Sequence, residues 1–478
     1  MHTEARPAEL AEPDFDAVRA EFDLSAQFPP DVLAEAARVA ALPVAAGPDR
    51  VDATDVELVT IDPPGSMDLD QAVGIVRRGD GFRVHYAIAD LGAVVVPDGV
   101  LDAEVRRRGQ TIYLPDGSTP LHPPVLSADA SSLLPGVDRA AVLWTIDVDA
   151  AGERVAVDVR RAVVRSRARL DYAGVQADVD AGRVHAAIAA LPDLGRLRHA
   201  VAIKRGAIEL ELPEQEVVPD GAGGWTVQVR KRLDVEAWNA EISLLTGMSA
   251  AAIMLEAGVG LLRTLPAPEQ AAVDQLRHTA RVLGVAWPHG ASPAEMLAGL
   301  PVDTPATLAM RRAATTLLRG AGYAWFDTAT GTPPPADPGH GGVGGPYSHV
   351  TAPLRRLVDR FGTEVCLAVT AGLEVPAWLL AALPTLPEVM ATSDALAGQV
   401  DRACVDRTEA VLLATRIGQE FDAVVLREPP REGDPGEIYV HEPPVLARCT
   451  GALKAGATVR VRLTEADPAT GRVLFTTA

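Results

Sequence analysis

The sequence predicts an α+β fold in which helices surround a mixed β-sheet and a small OB-like β-barrel follows at the C-terminal end. Residues 51 to about 170 contain apolar runs typical of strands, such as FRVHYAIADL and AAVLWTIDV. Residues 190 to 330 are rich in Ala and Leu with a helical period. From about residue 419, short strand-like runs separated by Gly and Pro return, as in an OB-type barrel.

The predicted boundaries divide the 478 residues into three parts, and a chain of this length suits more than one core. Residues 1–50 are a helical extension, in which PPDVLAEAARVAAL has prolines at a helix start and apolar residues three and four apart. Residues 51–418 are the main domain and residues 419–478 the barrel. Within the main domain we expect a loop over GTPPPADPGHGGVGGP and helices over PLRRLVDRFGTEVCLAVTAG and DALAGQVDRACVDRTEAVLLATRI.

Composition argues against several classes of protein. The sequence contains no apolar run of the roughly 18 to 20 residues that span a bilayer. The N-terminus, MHTEARPAEL, is acidic and unlike a signal peptide. Cys366, Cys404 and Cys449 form no CxxC pair, so neither a zinc site nor a disulfide framework is indicated. We therefore expect a cytoplasmic monomer without a membrane partner.

The net charge of −20 argues at first sight against a nucleic-acid partner, because Lys and Arg supply much of the affinity for phosphates. Net charge describes the long-range field rather than a particular site. Arginines are clustered in residues 106–108, 160–169, 311–312 and 355–360. An enclosed channel could therefore still be locally basic.

The segment TIDPPGSMDLDQAV contains the residues most suited to chemistry. Asp62 ends a strand-like run, since PPGSM cannot continue it. Asp68 and Asp70 point the same way if the backbone there is extended. Three converging carboxylates repel one another unless a cation compensates. Magnesium prefers such oxygen ligands, and with them it can activate water against a phosphodiester.

Two other interpretations of this segment stay open on the residues alone. Asp, Gly, Pro and Ser are common in solvated surface turns. A structural calcium loop is the other alternative, although the Dx[DN]x[DN]G pattern is missing.

With its flanks, the acidic segment resembles the start of the catalytic domain in the ribonuclease II (RNB) family, TIDP followed by D-x-D-D. Other segments resemble that family's blocks in the same order: RRRGQTIYLPDGSTPLHPPVLS, SSLLPGVDRAAVLWTIDVDAAGE, VVRSRARLDYAGV and PYSHVTAPLRRLVDR. The last is the most specific, because it is similar to Y-x-HFTSPIRRYxDL. The matching segments extend from residue 50 to about residue 420.

The resemblance implies an RNB-type catalytic domain and a hydrolase that degrades single-stranded RNA from the 3′ end to nucleoside 5′-monophosphates. The implied cofactor is Mg²⁺, with Mn²⁺ as a substitute. Metal binding is implied for Asp62, Asp68 and Asp70. Catalysis is implied for Asp70 and for Arg355, which would sit against the scissile phosphate.

RNA contacts are implied for four further residues. Tyr113 would stack on a base near the 3′ end, and Tyr172 and Glu241 would contact the terminal ribose. Arg356 would either contact phosphate or brace the helix that follows it. His349 is predicted to be a structural histidine rather than a general base.

The sequence departs from the family pattern at several positions. Gln71 replaces the fourth acidic residue and supplies no charge. Ala352 replaces a serine, and Ala87 a histidine, although Asp90 is retained. The residues before the main domain are too few for paired cold-shock barrels, so we expect a short form. The alternative function is a non-catalytic RNA-binding protein whose metal site is impaired at Gln71.

Overall fold

The computed structural model of the protein describes residues 12–42, 50–210, 212, 214–230, 232–301, 304–431 and 433–478. The α-helices in these ranges are α1 (Phe15–Glu21), α2 (Pro30–Ala40), α3 (Val100–Arg108), α4 (Tyr172–Asp180), α5 (Leu191–Lys204), α6 (Asp234–Ala257), α7 (Gln270–Val282), α8 (Pro293–Ala298), α9 (Pro305–Ala314), α10 (Leu357–Thr370), α11 (Ala377–Ala382) and α12 (Leu386–Ala414). Of the predicted helical extension, residues 1–11 and 43–49 lie outside the described residues.

The strands in the same ranges alternate with these helices and then form the C-terminal barrel. They are β1 (Val51–Asp52), β2 (Leu58–Asp62), β3 (Gln71–Arg78), β4 (Gly81–Ala89), β5 (Ile112–Leu114), β6 (Gly117–Thr119), β7 (Asp138–Val148), β8 (Arg154–Asp171), β9 (Glu214–Pro219), β10 (Trp225–Arg230), β11 (Val259–Thr264), β12 (Gly322–Asp327), β13 (Gly339–His340), β14 (Gly345–Pro346), β15 (Glu420–Arg427), β16 (Gly436–His441), β17 (Pro444–Thr450), β18 (Thr458–Asp467) and β19 (Arg472–Thr477).

The main sheet has the strand order β1-β8-β2-β3-β4-β7, and β8 also pairs with β7. Strand β8 can do this because it is 18 residues long. Its first part is antiparallel to β7, and its later part is parallel to β1 and β2. The sheet is therefore mixed, and the predicted α+β class is confirmed. Strands β2 and β8 end side by side, with Asp62 opposite Asp171.

One hydrophobic core joins this sheet to helices α2, α3, α5, α6 and α10. Helices α5 and α6 approach closely, since a Cβ on Gly195 would lie 2.3 Å from the side chain of Trp238. By length and composition α6 could cross a membrane, contrary to the expectation from sequence. However, 56% of its apolar window is buried inside the protein, and a core helix passes the same test.

Two helices differ in extent from those predicted. The helix expected over PLRRLVDRFGTEVCLAVTAG begins only at Leu357, because Arg356 is extended (φ −139°, ψ 122°) and precedes the first turn. Both arginines of PLRR therefore lie in an irregular segment. The helix expected over residues 394–417 is α12, which begins earlier, at Leu386, and ends at Ala414.

Strands β15 to β19 form a closed barrel in the order β15-β16-β17-β19-β18, which confirms the predicted OB-like barrel. Phe421 and Phe475 pack edge to face inside it, with ring centroids 5.7 Å apart. Leu413, near the end of α12, is buried in the same core. Helix α12 thus connects the barrel to the main domain.

Glu409 of α12 lies at this connection and is 2% exposed. Its Oε1 accepts hydrogen bonds from Gln215 of β9 and from the backbone N–H of Leu446 in the barrel. Burial raises the pKa of Glu409 to about 8, although both hydrogen bonds oppose that rise. The folded state therefore keeps this proton at pH values where the unfolded chain has lost it.

The stability contributed by protonated Glu409 should be lost as the pH rises through about 8. We expect the free energy of unfolding of the wild-type chain to fall relative to that of Glu409→Gln between pH 6 and pH 8.5. The limiting slope is about 1.4 kcal/mol per pH unit. Denaturant titrations of both proteins across this range measure it, and parallel curves would contradict the prediction.

The N-terminal helix α1 packs on the hairpin of β5 and β6. Phe15 and Val18 share a hydrophobic cluster with Ile112 of β5 and with α12. Arg19 makes a two-point ion pair with Asp116 at the hairpin turn, with N–O distances of 2.9 and 2.6 Å. Helix α1 therefore packs against the hairpin that contains Tyr113 and stabilises it.

Candidate active site

Asp62 lies at the end of β2, with one oxygen directed into the protein. Its Oδ2 is buried and has no hydrogen-bond partner. Burial raises the pKa of Asp62 to about 6, opposed by the positive charges of Arg355 and Arg169 and increased by the charge of Asp68. An unpaired buried carboxylate oxygen is costly, so this atom calls for a cation or a donor.

Asp70 lies immediately before β3 and is 3% exposed. The backbone N–H of Leu354 donates to its Oδ1 at 2.7 Å, and the Nε of Arg355 lies 3.6 Å from its Oδ2. Burial raises the pKa of Asp70 well above its usual range, against the effects of Arg355 and of the Leu354 hydrogen bond. The carboxyl is thus held by the same segment that carries Arg355.

Asp68 is half-buried, and its Oδ2 accepts a hydrogen bond from the Tyr113 hydroxyl at 3.1 Å. Between Asp68 and Asp70, Leu69 is fully buried in the core. The charge of Asp68 raises the pKa of both Asp62 and Asp70. The structure therefore brings Tyr113 to the acidic segment, although the two stand far apart in the sequence.

The acidic segment is held by two residues that the sequence analysis missed. Ser132 is fully buried; its Oγ accepts from the N–H of Leu69 at 3.0 Å and donates to the carbonyl of Met67 at 2.6 Å. Arg169 of β8 donates to the carbonyl of Ser66 at 3.1 Å. Both lie in the matched blocks SSLLPG and VVRSRARL, but their partners are set by tertiary contacts that no local pattern shows.

Ser132→Ala should loosen this segment, because the buried N–H of Leu69 and the carbonyl of Met67 each lose their partner. We expect a loss of about 1–3 kcal/mol in the free energy of unfolding. A fall in RNA turnover should accompany it, with RNA affinity unchanged. Denaturant titration and steady-state kinetics measure the two effects. Unchanged turnover in a destabilised Ser132→Ala protein would show that the contact serves only the fold.

Arg355 and Arg356 have different environments although they are neighbours. The side chain of Arg355 is 52% exposed and lines a cavity. Arg356 lines the same cavity, but its guanidinium makes two hydrogen bonds to Asp359, at 2.5 and 2.8 Å. Arg356 therefore braces the start of α10, which is one of the two roles expected for it. Contact between Arg356 and RNA stays a prediction.

The cavity has a volume of about 520 Å³ and lies between the sheet, α5, α6 and the segment after β14. Besides the two arginines it is lined by Gln71, Tyr172 and Glu241. The Tyr172 hydroxyl accepts from Asn239 at 3.4 Å. The Oε2 of Glu241 is buried without a hydrogen-bond partner, and burial raises the pKa of this carboxyl. The predicted ribose contacts therefore share one cavity with Arg355.

His349 is half-buried, and its Nδ1 and the Tyr323 hydroxyl are 2.7 Å apart. Burial and the nearby charges of Arg356 and Arg263 hold the pKa of His349 well below its usual range. The imidazole is therefore neutral. This environment fits the structural role predicted for it.

The expected convergence of three carboxylates into a ready-made metal cluster is not found. Among the described residues, no group of three or more His, Cys, Asp or Glu side chains is placed to hold an ion by itself. Two of the carboxylates have other partners: Tyr113 binds Asp68, and Leu354 and Arg355 contact Asp70. The unpartnered oxygen of Asp62 still fits a divalent cation, because Mg²⁺ takes one or two carboxylates together with water and substrate phosphates.

The departures from the family pattern are accommodated in the fold. Ala87 and Ala352 are both buried. Because alanine has only a methyl side chain, neither position offers a hydroxyl or an imidazole to the cavity. Asp90 is also buried and binds Arg50 at 2.6 Å and Arg161 at 2.5 Å, which is a structural pairing. Gln71 donates its side-chain amide to the carbonyl of Thr351 at 2.5 Å.

Two known domain families match the chain. The RNB domain model matches residues 50–362, which is more than half of the chain. The chain belongs to the RNB family. A second model, the RNase II-type exonuclease C-terminal S1 domain, matches residues 419–478, the region of the barrel.

Individual proteins of the RNB family also resemble the chain. Ribonuclease R of Escherichia coli (strain K12) is 31% identical over 335 residues, covering 66% of this chain and 40% of that protein. The chain thus spans about two fifths of the length of that relative. The structure of Mycoplasma genitalium RNase R in complex with ribose methylated single-stranded RNA matches with a TM-score of 0.86 at 20% identity, over 97% of this chain and 78% of that one.

A third similarity concerns a protein named for lacking activity. The structure of yeast Ssd1, a pseudonuclease, matches with a TM-score of 0.71 at 16% identity, over 89% of this chain and 54% of that one. At these identities the structural matches establish the fold alone. The activity of this RNB chain has to be argued from its own residues.

Proposed function

We propose that this chain is a hydrolytic exoribonuclease that degrades single-stranded RNA from the 3′ end and releases nucleoside 5′-monophosphates. The observation that carries the proposal is the meeting of Asp62, Asp70 and Arg355 beside the cavity. Asp70 is buried, Asp62 has one buried oxygen, and the pKa values of both carboxyls are raised. The positive charge of the half-exposed Arg355 acts on both. Titratable groups with shifted pKa values that lie beside an opposite charge in a cleft are typical of catalytic sites.

In this proposal Mg²⁺, or Mn²⁺ as a substitute, is held by Asp62 and Asp70 with Asp68 beside them. When bound, the ion would supply Lewis acidity and a water of lowered pKa. Arg355 would bind the scissile phosphate, because a guanidinium matches phosphoryl oxygens in shape and charge. Its exposure to the cavity leaves donors free to turn toward a substrate.

The other predicted residues would select and orient the RNA. Tyr113 is 50% exposed, so its ring can stack on a base without reading the base's identity. Tyr172 and Glu241 would contact the ribose of the terminal nucleotide inside the cavity. A 2′-hydroxyl both donates and accepts, and such contacts would favour RNA over DNA.

The second candidate is a non-catalytic RNA-binding protein. Gln71 favours it, because the site has one carboxylate fewer than the family pattern and hence weaker attraction for a cation. The fold is compatible with this outcome as well, since it is shared with a pseudonuclease. The two candidates differ in whether the RNA becomes shorter.

The test uses the full chain with a 5′-labelled single-stranded oligoribonucleotide, with Mg²⁺ or with EDTA, beside a DNA oligonucleotide of the same sequence. We expect a ladder of RNA products shortened from the 3′ end in Mg²⁺ only, and chromatography should identify nucleoside 5′-monophosphates. Retention of RNA in a gel-shift assay, with no shortening in any sample, would favour the second candidate and reject the first.

A further inference from the structure

Gln71 makes a contact that the acidic residue of the family pattern could not make. Its Nε2 donates to the backbone carbonyl of Thr351 at 2.5 Å, between residues 280 positions apart. Thr351 is 4% exposed, so its carbonyl has little access to water. A carboxylate at position 71 would have only acceptors to present to that oxygen.

Thr351 begins the segment of residues 351–356, which carries Arg355 and belongs to neither a helix nor a strand. Backbone hydrogen bonds hold part of it, among them the bond from the N–H of Thr111 to the carbonyl of Arg355 at 2.9 Å, and side chains hold the rest. Asp359 accepts from the N–H of Ala352 at 2.7 Å, and Asp70 accepts from the N–H of Leu354 at 2.7 Å. The Gln71 amide fixes the first carbonyl of the same segment. The place of Arg355 therefore depends in part on these side-chain contacts.

We propose that Gln71 is a positioning residue that acts on the reaction through the Thr351–Arg355 segment and does not serve as a metal ligand. This inference rests on the proposed exoribonuclease function. The side-chain N–H of Gln71 is committed to the carbonyl of Thr351. That bond helps to hold the segment from which Arg355 reaches Asp70. Restoring the family's aspartate would remove the donor and should lower the activity of this chain.

Three substitutions separate loss of the donor from change of charge. Gln71→Glu keeps the shape, adds a charge and loses the donor. Gln71→Met keeps the length without charge or donor, and Gln71→Asp restores the family pattern. We expect the kcat of all three to fall about tenfold or more, since a small displacement of a catalytic group is costly. The KM for RNA and the Mg²⁺ concentration giving half-maximal rate should stay within about twofold, because the donor of Gln71 binds Thr351 rather than either ligand.

A second measurement needs neither metal nor substrate. Amide hydrogen exchange in EDTA should be faster over residues 348–356 in the Gln71→Met protein than in the wild type. Exchange elsewhere in the sheet should be unchanged. This readout reports on the segment directly and would also reveal a variant that has failed to fold.

A double-variant cycle tests whether Gln71 acts through Arg355. If it does, Gln71→Met should cost little more in a protein that already carries Arg355→Ala. Full additivity of the two losses would overturn the proposal. So would a Gln71→Asp protein with a raised kcat or a reduced Mg²⁺ requirement, or a Gln71→Met protein with unchanged kcat and exchange.

The failure of this inference is distinguishable from failure of the proposed function. If the wild-type chain binds RNA without shortening it, the exoribonuclease assignment fails. The double-variant cycle of Gln71→Met and Arg355→Ala can then be measured with the affinity for RNA in EDTA in place of kcat. Hydrogen exchange still shows whether Gln71 holds residues 351–356.

Discussion

Asp70→Asn should reduce RNA hydrolysis by at least about 10²- to 10³-fold, the scale on which loss of one electrostatic element of a site is felt. Asparagine keeps the shape of the side chain and an oxygen that can accept from the N–H of Leu354. It removes the negative charge that would hold a divalent ion and balance Arg355. Steady-state hydrolysis of a labelled oligoribonucleotide measures the loss.

The Asp70→Asn protein should also fold normally. Burial makes the ionised form of Asp70 costly, as its raised pKa indicates, so a neutral side chain should leave the melting temperature unchanged or higher. RNA binding in EDTA should persist. Asp158→Asn, on the exposed part of β8, is the matched control and should retain full activity. Hydrolysis by Asp70→Asn above about one tenth of the wild-type rate would contradict the assignment of Asp70.

Arg355→Ala should lower turnover by about 10²- to 10³-fold, because donors aimed at developing phosphoryl charge contribute on that scale. A second effect should appear in the pH dependence. The charge of Arg355 lowers the pKa of Asp62, which is nevertheless about 6. Wild-type activity at limiting Mg²⁺ should fall toward acidic pH, with a midpoint no higher than about 6, because a proton then competes with the cation for Asp62. In Arg355→Ala this fall should move to higher pH.

Arg355→Lys separates these two effects. Lysine keeps the positive charge, so the acidic limb of the pH profile should stay near its wild-type position, but it lacks the two-pronged guanidinium. Turnover should therefore fall while the limb does not move. Arg160→Ala, an exposed arginine on β8, is the control for a general loss of positive charge. An unshifted acidic limb in Arg355→Ala would show that Arg355 does not act on Asp62.

Fold class and barrel could be predicted from the sequence because strand and helix periods are local properties of the chain. The acidic segment could be found for the same reason, since Asp62, Asp68 and Asp70 are neighbours. Their metal-binding role stays a prediction. The hydrogen-bond partners of Asp68 and Asp70, namely Tyr113 and Leu354, could not be predicted, because they are distant in sequence and are brought there by the fold. Helix α10 was placed too early for a related reason. The residues before Leu357 have helical spacing, yet tertiary hydrogen bonds hold their backbone in another conformation.

The same limit explains the interpretation of Gln71. A comparison of motifs shows only that a charge is missing there. The structure shows what the amide does instead, because the carbonyl it binds belongs to a segment 280 positions away. Ser132 escaped notice likewise, since a serine in a turn carries no local sign that its hydroxyl will hold the acidic segment.

The sequence separation within the site bears on when a nascent chain could first act on RNA. The hydrogen bond from Leu354 to Asp70 spans 284 positions. During synthesis the carboxylates emerge first, while Arg355 and the backbone that faces them emerge about 284 positions later. A ribosome-bound chain that stops before this segment holds acidic residues without their counterpart. The mRNA that encodes the protein is therefore next to a complete site only after Arg355 has left the ribosome.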